Sequence, residues 1–146
     1  MASIRKTAFV TAPAAAAWDA IRDFGNVHLR VAPGFVADCR LDGDARIVTF
    51  AAGNVARELL VDRDDARRRL VYAIPPNERI AHYQGCFAVS DDGAGGCRID
   101  WTVDLLPHAL APPIAAQMEL GVEAMRTALG RGCGDRAPSQ GAAGPT

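Results

Sequence analysis

The stretch "AHYQGCFAVSDDGAGGCRIDWTVDL", residues 81–105, predicts the β-hairpin on which the rest of the fold is built. Apolar and polar residues alternate on both sides of the turn cluster "DDGAGG", a pattern typical of two half-buried strands joined by a short turn. Since successive side chains of a strand point to opposite faces, one face of this hairpin is predicted to face a core. The predicted inward residues are Tyr83, Gly85, Phe87 and Val89 on the first strand and Cys97, Ile99, Trp101, Val103 and Leu105 on the second.

The potentially reactive side chains at the start of this stretch are not predicted to form a site. His82, Gln84 and Cys86 fall on the outward face. His82 and Cys86 are four residues apart, about 13 Å along an extended strand, and this distance excludes a Cys–His nucleophilic pair. The polar group that points inward from the first strand is the hydroxyl of Tyr83.

Gly85 on the inward face predicts that a bulky neighbour packs closely against this strand. The turn places Trp101 opposite Gly85 or Phe87, and Gly85 is expected to leave room for the indole ring. Trp101 is then either a core residue or part of the wall of a binding site.

Period-two alternation also occurs upstream of the hairpin and predicts a sheet of seven strands. The turn clusters between these strands are short, which favours antiparallel neighbours because parallel pairing needs a long crossover. The predicted strands span residues 3–10, 35–41, 45–51, 54–62, 69–74, 80–90 and 96–106.

Two helices are predicted, one after the first strand and one at the end of the domain. "TAPAAAAWDAIRDFG", residues 11–25, has a proline in its first turn and an apolar face that includes Trp18. The second helix runs from Pro112 to about Gly130, and its apolar stripe includes Met118 and Val122. Residues 1–131 are therefore predicted to form one domain, and the Gly- and Pro-rich residues 132–146 a disordered tail.

The composition is that of an ordinary globular domain. The 146 residues carry a formal net charge of −1, whereas a protein that binds nucleic acid or an anionic membrane needs a basic excess. The sequence shows no signal peptide and no run of about 20 apolar residues that would span a bilayer. Three dispersed histidines give no metal-ligand spacing, and neither a metal nor a cofactor is expected.

The four cysteines are widely spaced and include no CxxC pair. Free thiols and a cytoplasmic location are therefore predicted. A disulfide between Cys86 and Cys97, which flank the hairpin turn, is the less favoured alternative.

The predicted element order is strand, helix, six strands and a long helix, which gives an α+β domain whose last helix covers the apolar face of the sheet. This order resembles the helix-grip fold of the START-like (SRPBCC) superfamily, in particular its bacterial polyketide cyclase/dehydratase-like members. The resemblance covers about residues 3–130. The stretches that carry it are "VTAPAAAAWDAIRDFGN", "GNVARELLVDRDDARRRLVYAI" and the closing hairpin "HYQGCFAV…GCRIDWTVDL".

The resemblance implies a curved seven-stranded antiparallel sheet wrapped around the C-terminal helix, with an internal cavity for a small, largely apolar ligand. The superfamily includes START lipid-transfer domains, birch-pollen allergens and plant abscisic-acid receptors, so the fold alone does not fix the function. The lysine with which the receptors anchor their ligand has no counterpart here, because Pro33 falls about where it would be. This departure argues against the same carboxylate-bearing ligand.

The strand at residues 54–62 can be placed in two registers. Hydrophobicity alone favours Val55, Arg57, Leu59 and Val61 on the inward face, whereas the resemblance favours Glu58 and Leu60. We prefer the second register, which makes Glu58 a buried carboxylate that needs hydrogen bonds from a ligand or from water.

The function favoured by this sequence is binding of a small hydrophobic or aromatic ligand between the sheet and the C-terminal helix, as a carrier or sensor. One alternative is a cyclase- or aromatase-type enzyme that uses Glu58 and tyrosines. Another is an interaction module for protein or quinone, which an exposed apolar patch around "VHLRVAPGF" would favour. The chain is expected to be a monomer or homodimer. The predicted ligand-binding residues are Glu58, Tyr72, Ile74, Tyr83, Gly85, Phe87, Ile99, Trp101, Met118 and Val122.

Overall fold

The computed structural model describes residues 2–132, and the predicted disordered tail lies almost entirely outside them. Every predicted strand is present, with each end within two residues of the predicted position. The elements in chain order are β1 (Ala2–Val10), α1 (Ala14–Arg22), α2 (Val27–Arg30), β2 (Val36–Asp42), β3 (Ala45–Phe50), β4 (Val55–Asp64), β5 (Arg69–Ala73), β6 (His82–Asp91), β7 (Cys97–Leu106) and α3 (Ala111–Leu129).

The strands form one antiparallel sheet in the order β1-β7-β6-β5-β4-β3-β2. The first and last strands of the domain, β1 and β7, are thus neighbours, and β2 lies at the opposite edge. This seven-stranded open sheet with a long C-terminal helix confirms the helix-grip prediction.

The β6–β7 hairpin has the predicted two-sided pattern. On both strands every second residue is buried, from Tyr83 to Val89 and from Cys97 to Leu105. In the observed register Phe87 lies directly opposite Trp101. The buried face of the hairpin looks towards the helices, as the alternation predicted.

The helix α1 fastens the turn between β4 and β5 to the core. Trp18 is buried, and its Nε1 donates a hydrogen bond of 2.9 Å to Oδ1 of Asp65 in that turn. Arg22 also donates to Oδ1 of Asp65, from Nε at 2.8 Å. Trp18 is therefore a core residue with a satisfied N–H. The exposed turn around Asp65 is thereby held by α1.

The helix α3 packs against β1, and its C-terminal end is tied to the start of α1. The backbone N–H groups of Thr11 and Ala12 donate to the carbonyl oxygens of Gly130 and Leu129, at 2.8 and 3.0 Å. Gly130 has a φ of +89°, a conformation that ends the helix and that side chains rarely adopt. None of the helices within residues 2–132 has the length and hydropathy needed to cross a membrane.

Candidate ligand-binding cavity

A cavity of about 480 Å³ lies between the inner face of the sheet and the N-terminal half of α3. Its rim includes the exposed residues Asn54, Val55, Asn77 and Arg79. Its interior is mostly apolar and aromatic. The interior lining residues include Val27, Val31, Ala32, Phe35, Val36, Arg46, Val48, Phe50, Glu58, Tyr72, Ile74, Ile80, Tyr83, Phe87, Trp101, Leu110, Ile114, Gln117, Met118, Gly121 and Met125.

Three aromatic rings from three neighbouring strands form a continuous wall of this cavity. Phe87 stacks on Trp101 with ring centroids 5.1 Å apart and an interplanar angle of 16°. On its other side Phe87 stacks on Tyr72 at 6.0 Å and 22°. The Nε1 of Trp101 donates a hydrogen bond of 3.0 Å to the hydroxyl of Tyr72, which locks the two outer rings together. The wall is therefore aromatic, and its rings are held together by stacking and by one hydrogen bond.

The glycine on β6 makes room for a different ring from the one we predicted. Gly85 pairs with Tyr72 on β5, and a Cβ at position 85 would overlap the Tyr72 ring. Trp101 lies opposite Phe87 and needs no gap in β6. The prediction that Gly85 accommodates the indole was therefore wrong, because Tyr72 occupies that space.

Tyr72 and Tyr83 lie side by side in the wall, with ring centroids 6.4 Å apart. Burial raises the pKa of Tyr72 well above its usual range, and the negative charge of Glu58 adds to that shift. Burial likewise raises the pKa of Tyr83, again with a contribution from Glu58. Both phenols therefore stay protonated at neutral pH and can act as hydrogen-bond donors but not as phenolate bases.

The strongest polar feature of the cavity is an ion pair between Arg46 on β3 and Glu58 on β4, which are directly opposite each other. Nε and Nη2 of Arg46 both lie 2.8 Å from Oε1 of Glu58. The two side chains are only 5% and 8% exposed. The guanidinium also donates from Nη1 to the carbonyl oxygen of Phe24 at 3.2 Å, and it lies 4.0 Å above the Phe24 ring. We call this group the polar pole of the cavity.

The buried position of Glu58 shows which of the two registers left open by the sequence β4 adopts. Leu60 lies opposite Tyr72, so Glu58 shares the inward face with them. Val55 and Val61, which hydrophobicity alone would bury, are 62% and 54% exposed. A bulge between Leu60 and Asp62 shifts the register, so that no single alternation describes the whole of β4. The preferred register was therefore right.

Arg46 is the site residue that we missed. Glu58 was expected to depend on a ligand or water, whereas the protein itself supplies its partner. Two signals in the sequence pointed to it: Arg46 alternates with Val48 and Phe50, and a hairpin centred on residue 52 places it opposite Glu58. A lone arginine in a strand is nevertheless exposed far more often than buried, so the pattern alone did not distinguish it.

Seven of the ten predicted site residues line the cavity, namely Glu58, Tyr72, Ile74, Tyr83, Phe87, Trp101 and Met118. Gly85 lies beneath the Tyr72 ring instead. Ile99 and Val122 are buried in the core but do not line the cavity. Ile99 pairs with Ala8 on β1 and Val89 on β6, near the hairpin turn, and both of these neighbours are buried as well.

The described residues contain neither a candidate metal site nor the disulfide that the sequence left as an alternative. Within residues 2–132 no cluster of three or more His, Cys, Asp or Glu side chains can hold a metal ion. Cys39, Cys86 and Cys97 are free thiols, so the alternative of a Cys86–Cys97 disulfide is wrong. Burial raises the pKa of Cys97 to about 11, which leaves it protonated and unreactive at neutral pH.

The stretch "VHLRVAPGF", residues 27–35, does not form the exposed apolar patch that an interaction module would need. Val27, Val31 and Ala32 are buried and line the cavity, as does the half-buried Phe35. Leu29 is the large apolar side chain of this stretch that is exposed, at 66%. The apolar character of the segment therefore serves the cavity.

The family model described as "polyketide cyclase / dehydrase and lipid transport" matches residues 1–134. No curated protein matches the chain. The family match covers the sheet, the cavity and the long helix together.

Solved structures with the same fold come from several sources. A solution structure from Thermobifida fusca is 27% identical, covers 90% of this chain and 98% of that one, and has a TM-score of 0.68. A START superfamily protein from Mycobacterium smegmatis is 13% identical, with coverages of 87% and 93% and a TM-score of 0.67. The di-domain ARO/CYC protein BexL from the BE-7585A biosynthetic pathway is also 13% identical, and the match covers 84% of this chain and 46% of BexL with a TM-score of 0.66. At 13% identity, the last two similarities concern the fold.

Proposed function

Since this chain belongs to the polyketide cyclase/dehydrase and lipid transport family, we propose that it binds a small hydrophobic or aromatic ligand in the cavity between the sheet and α3, as a carrier or sensor. The observation that carries this proposal is the cavity of about 480 Å³, which falls within the range of small-molecule sites.

The distribution of polar and apolar groups supports a binding role. The aromatic wall of Tyr72, Phe87 and Trp101 offers a largely apolar surface, and Met118 on α3 lines the cavity as a flexible apolar side chain. Hydrogen-bonding groups of the interior are few and lie mainly at the polar pole and at Tyr83, with the amide of Gln117 on α3. Apolar contact would therefore supply most of the affinity, and the polar groups would set the orientation of the ligand.

We also propose a cytoplasmic location. The free thiols of Cys39, Cys86 and Cys97 fit a reducing compartment. Mass spectrometry after alkylation of the unfolded protein from its native source tests this, and full alkylation of these three thiols is expected. An oxidised pair among them would contradict the proposal.

The binding proposal is tested by blocking the cavity from α3. Ile114 on α3 is half-buried and lines the cavity, whereas Leu120 on the same helix is 65% exposed. The probe is N-phenyl-1-naphthylamine, an uncharged aromatic molecule whose fluorescence rises in apolar surroundings. The parent protein should bind it saturably, Ile114→Trp should weaken binding by about tenfold or more, and Leu120→Trp should leave it unchanged.

Two results of this experiment would contradict the proposal. The first is absence of saturable binding by the parent protein. The second is equal binding by the Ile114→Trp and Leu120→Trp variants, with unfolding midpoints showing that both are folded.

A cyclase or aromatase is the second candidate, because the carboxylate of Glu58 lines the cavity together with the hydroxyls of Tyr72 and Tyr83. The Glu58→Gln variant separates the two functions. If Glu58 acts as an acid or base, conversion of a poly-β-ketone substrate by the parent should be abolished in the variant. If the protein is a binder, neither form should convert it, and the substitution should alter only the affinity for the probe.

A further inference from the structure

The polar pole retains hydrogen-bonding capacity that the protein does not use. Both contacts from Arg46 go to Oε1 of Glu58. Within residues 2–132 no side chain or backbone group donates a hydrogen bond to the second carboxylate oxygen, Oε2. Oε2 is also accessible. Among residues 2–132 only one side-chain N or O atom is both completely enclosed and without a hydrogen-bond partner, and that atom is Nδ1 of His28, so the unpaired Oε2 is not completely enclosed. Since Glu58 lines the cavity, Oε2 is an open acceptor there.

Arg46 has spare capacity of the opposite kind. A guanidinium carries five N–H donors. In Arg46, Nε donates to Glu58 and Nη1 donates to the carbonyl of Phe24, while Nη2 lies 2.8 Å from Oε1 of Glu58, so at most three of the five N–H groups are used. At least two N–H donors therefore remain on a residue that lines the cavity.

The pole thus presents a donor and an acceptor side by side, and its formal charge is zero. The other arginines that line the cavity do not change this balance inside it. Arg57 lies at the rim and is paired with Asp42 at 2.5 Å, and Arg79 is exposed. A ligand that brings a negative charge would face the carboxylate of Glu58 without a free positive charge to neutralise it.

We infer that the ligand is uncharged and carries a hydrogen-bond donor next to an acceptor, as in a carboxamide, lactam or vicinal hydroxy-ketone, attached to an aromatic or apolar body. The donor would bind Oε2 of Glu58, and the acceptor would bind a free N–H of Arg46. This inference rests on the proposed binding function, and it narrows the ligand class of the same cavity.

Three probes of nearly equal shape separate the contributions of this pole. Naphthalene-2-carboxamide offers a donor and an acceptor, 2-acetylnaphthalene offers only an acceptor, and naphthalene-2-carboxylate offers acceptors and a negative charge. Their affinities are measured by NMR titration of the full chain. We expect the carboxamide to bind several-fold more tightly than the ketone and about tenfold or more tightly than the carboxylate.

The double variant Arg46→Met/Glu58→Leu is the control, because it keeps the volume of the pole and removes its hydrogen bonds. In this variant the preference for the carboxamide should be lost, and the ketone should bind at least as tightly as the carboxamide. A folded Arg40→Met variant, altered at an exposed arginine of β2 that does not line the cavity, should keep the order of the parent.

The outcomes distinguish the two proposals. If none of the three probes binds the parent, the binding function is contradicted and this inference falls with it. If the probes bind with equal affinity, or the carboxylate binds most tightly, the cavity is a binding site but the assigned ligand class is wrong. Retention of the carboxamide preference in the double variant would also contradict the role of the pole.

Discussion

Two arginine–carboxylate pairs lie on opposite faces of β4 and involve consecutive residues. Glu58 points inward and pairs with Arg46, with side chains 8% and 5% exposed. Arg57 points outward and pairs with Asp42, with side chains 47% and 55% exposed. The chemistry of the two pairs is the same, and their N–O distances are 2.8 and 2.5 Å. They differ in what surrounds them.

This difference determines what each pair can do. Water solvates the outer pair, so its ions interact weakly and can be separated at little cost. The inner pair has lost its water, and each ion depends on the other and on the few polar groups around it. Burial therefore makes Arg46 and Glu58 sensitive to any change in the cavity, whereas Arg57 and Asp42 remain a surface feature.

The largest effect is expected when one member of the inner pair is removed. Arg46→Met leaves the carboxylate of Glu58 buried without a cation and should lower the free energy of unfolding by about 3–5 kcal/mol. Urea denaturation followed by circular dichroism measures this. A loss no larger than that of Arg57→Met, which removes the outer cation, would show that burial does not distinguish the pairs.

Removing both inner partners should be much less damaging than removing one. In Arg46→Met/Glu58→Leu neither ion is left unpaired, and the free energy of unfolding should lie within about 1 kcal/mol of the parent or above it. The difference between the double variant and the sum of the single ones gives the coupling energy. Additive single effects would contradict a tightly coupled pair.

A substitution that crowds the surroundings of the inner pair without altering its charge should have an intermediate effect on the free energy of unfolding. Gly85→Ala places a methyl group into the Tyr72 ring, which lies 5.5 Å from Cζ of Arg46. Overpacking of this kind should cost about 1–3 kcal/mol of stability. Gly53→Ala is not a suitable control, because Gly53 has a φ of +100°. Ala88→Gly on the same strand, half-buried on the outward face, should cost less.

The smallest expected effect is a change in the pKa of Asp42, the carboxylate of the outer pair. The hydrogen bond and charge of Arg57 hold the pKa of Asp42 below its usual 3.8. Because the folded-state pKa is lowered, the contribution of this pair to stability is present at neutral pH and is lost as the pH falls through that pKa. NMR titration of the Asp42 carboxyl should show its pKa rising towards 3.8 in Arg57→Met. An unchanged pKa would mean that the outer pair does not persist in solution.

The contrast between the two pairs also explains what the sequence could predict. The buried face of the β6–β7 hairpin was predictable, because apolar and polar residues alternate without a break in residues 83–89 and again in residues 97–105, although the pairing of Trp101 with Gly85 or Phe87 stayed open. The buried face of β4 was not, since a bulge between Leu60 and Asp62 changes the register within the strand. Hydrophobicity also points the wrong way there, because Val55 and Val61 are exposed while Glu58 is buried.

The other features that the sequence did not predict depend on contacts between strands. Arg46 and Arg57 are both strand arginines near a turn, and their local sequences do not reveal which one is buried. The same holds for Gly85, whose role depends on a ring contributed by the neighbouring strand β5. Such features follow from register across several strands, which one chain read in isolation specifies only weakly.

The most direct test of this account is a crystal structure of the protein with naphthalene-2-carboxamide. The account predicts that the naphthalene ring lies in the cavity against Phe87 and Trp101, with the amide N–H on Oε2 of Glu58 and the amide oxygen on Arg46. A structure in which the ligand lies on the outer surface, or in the cavity with its amide turned away from this pair, would contradict it.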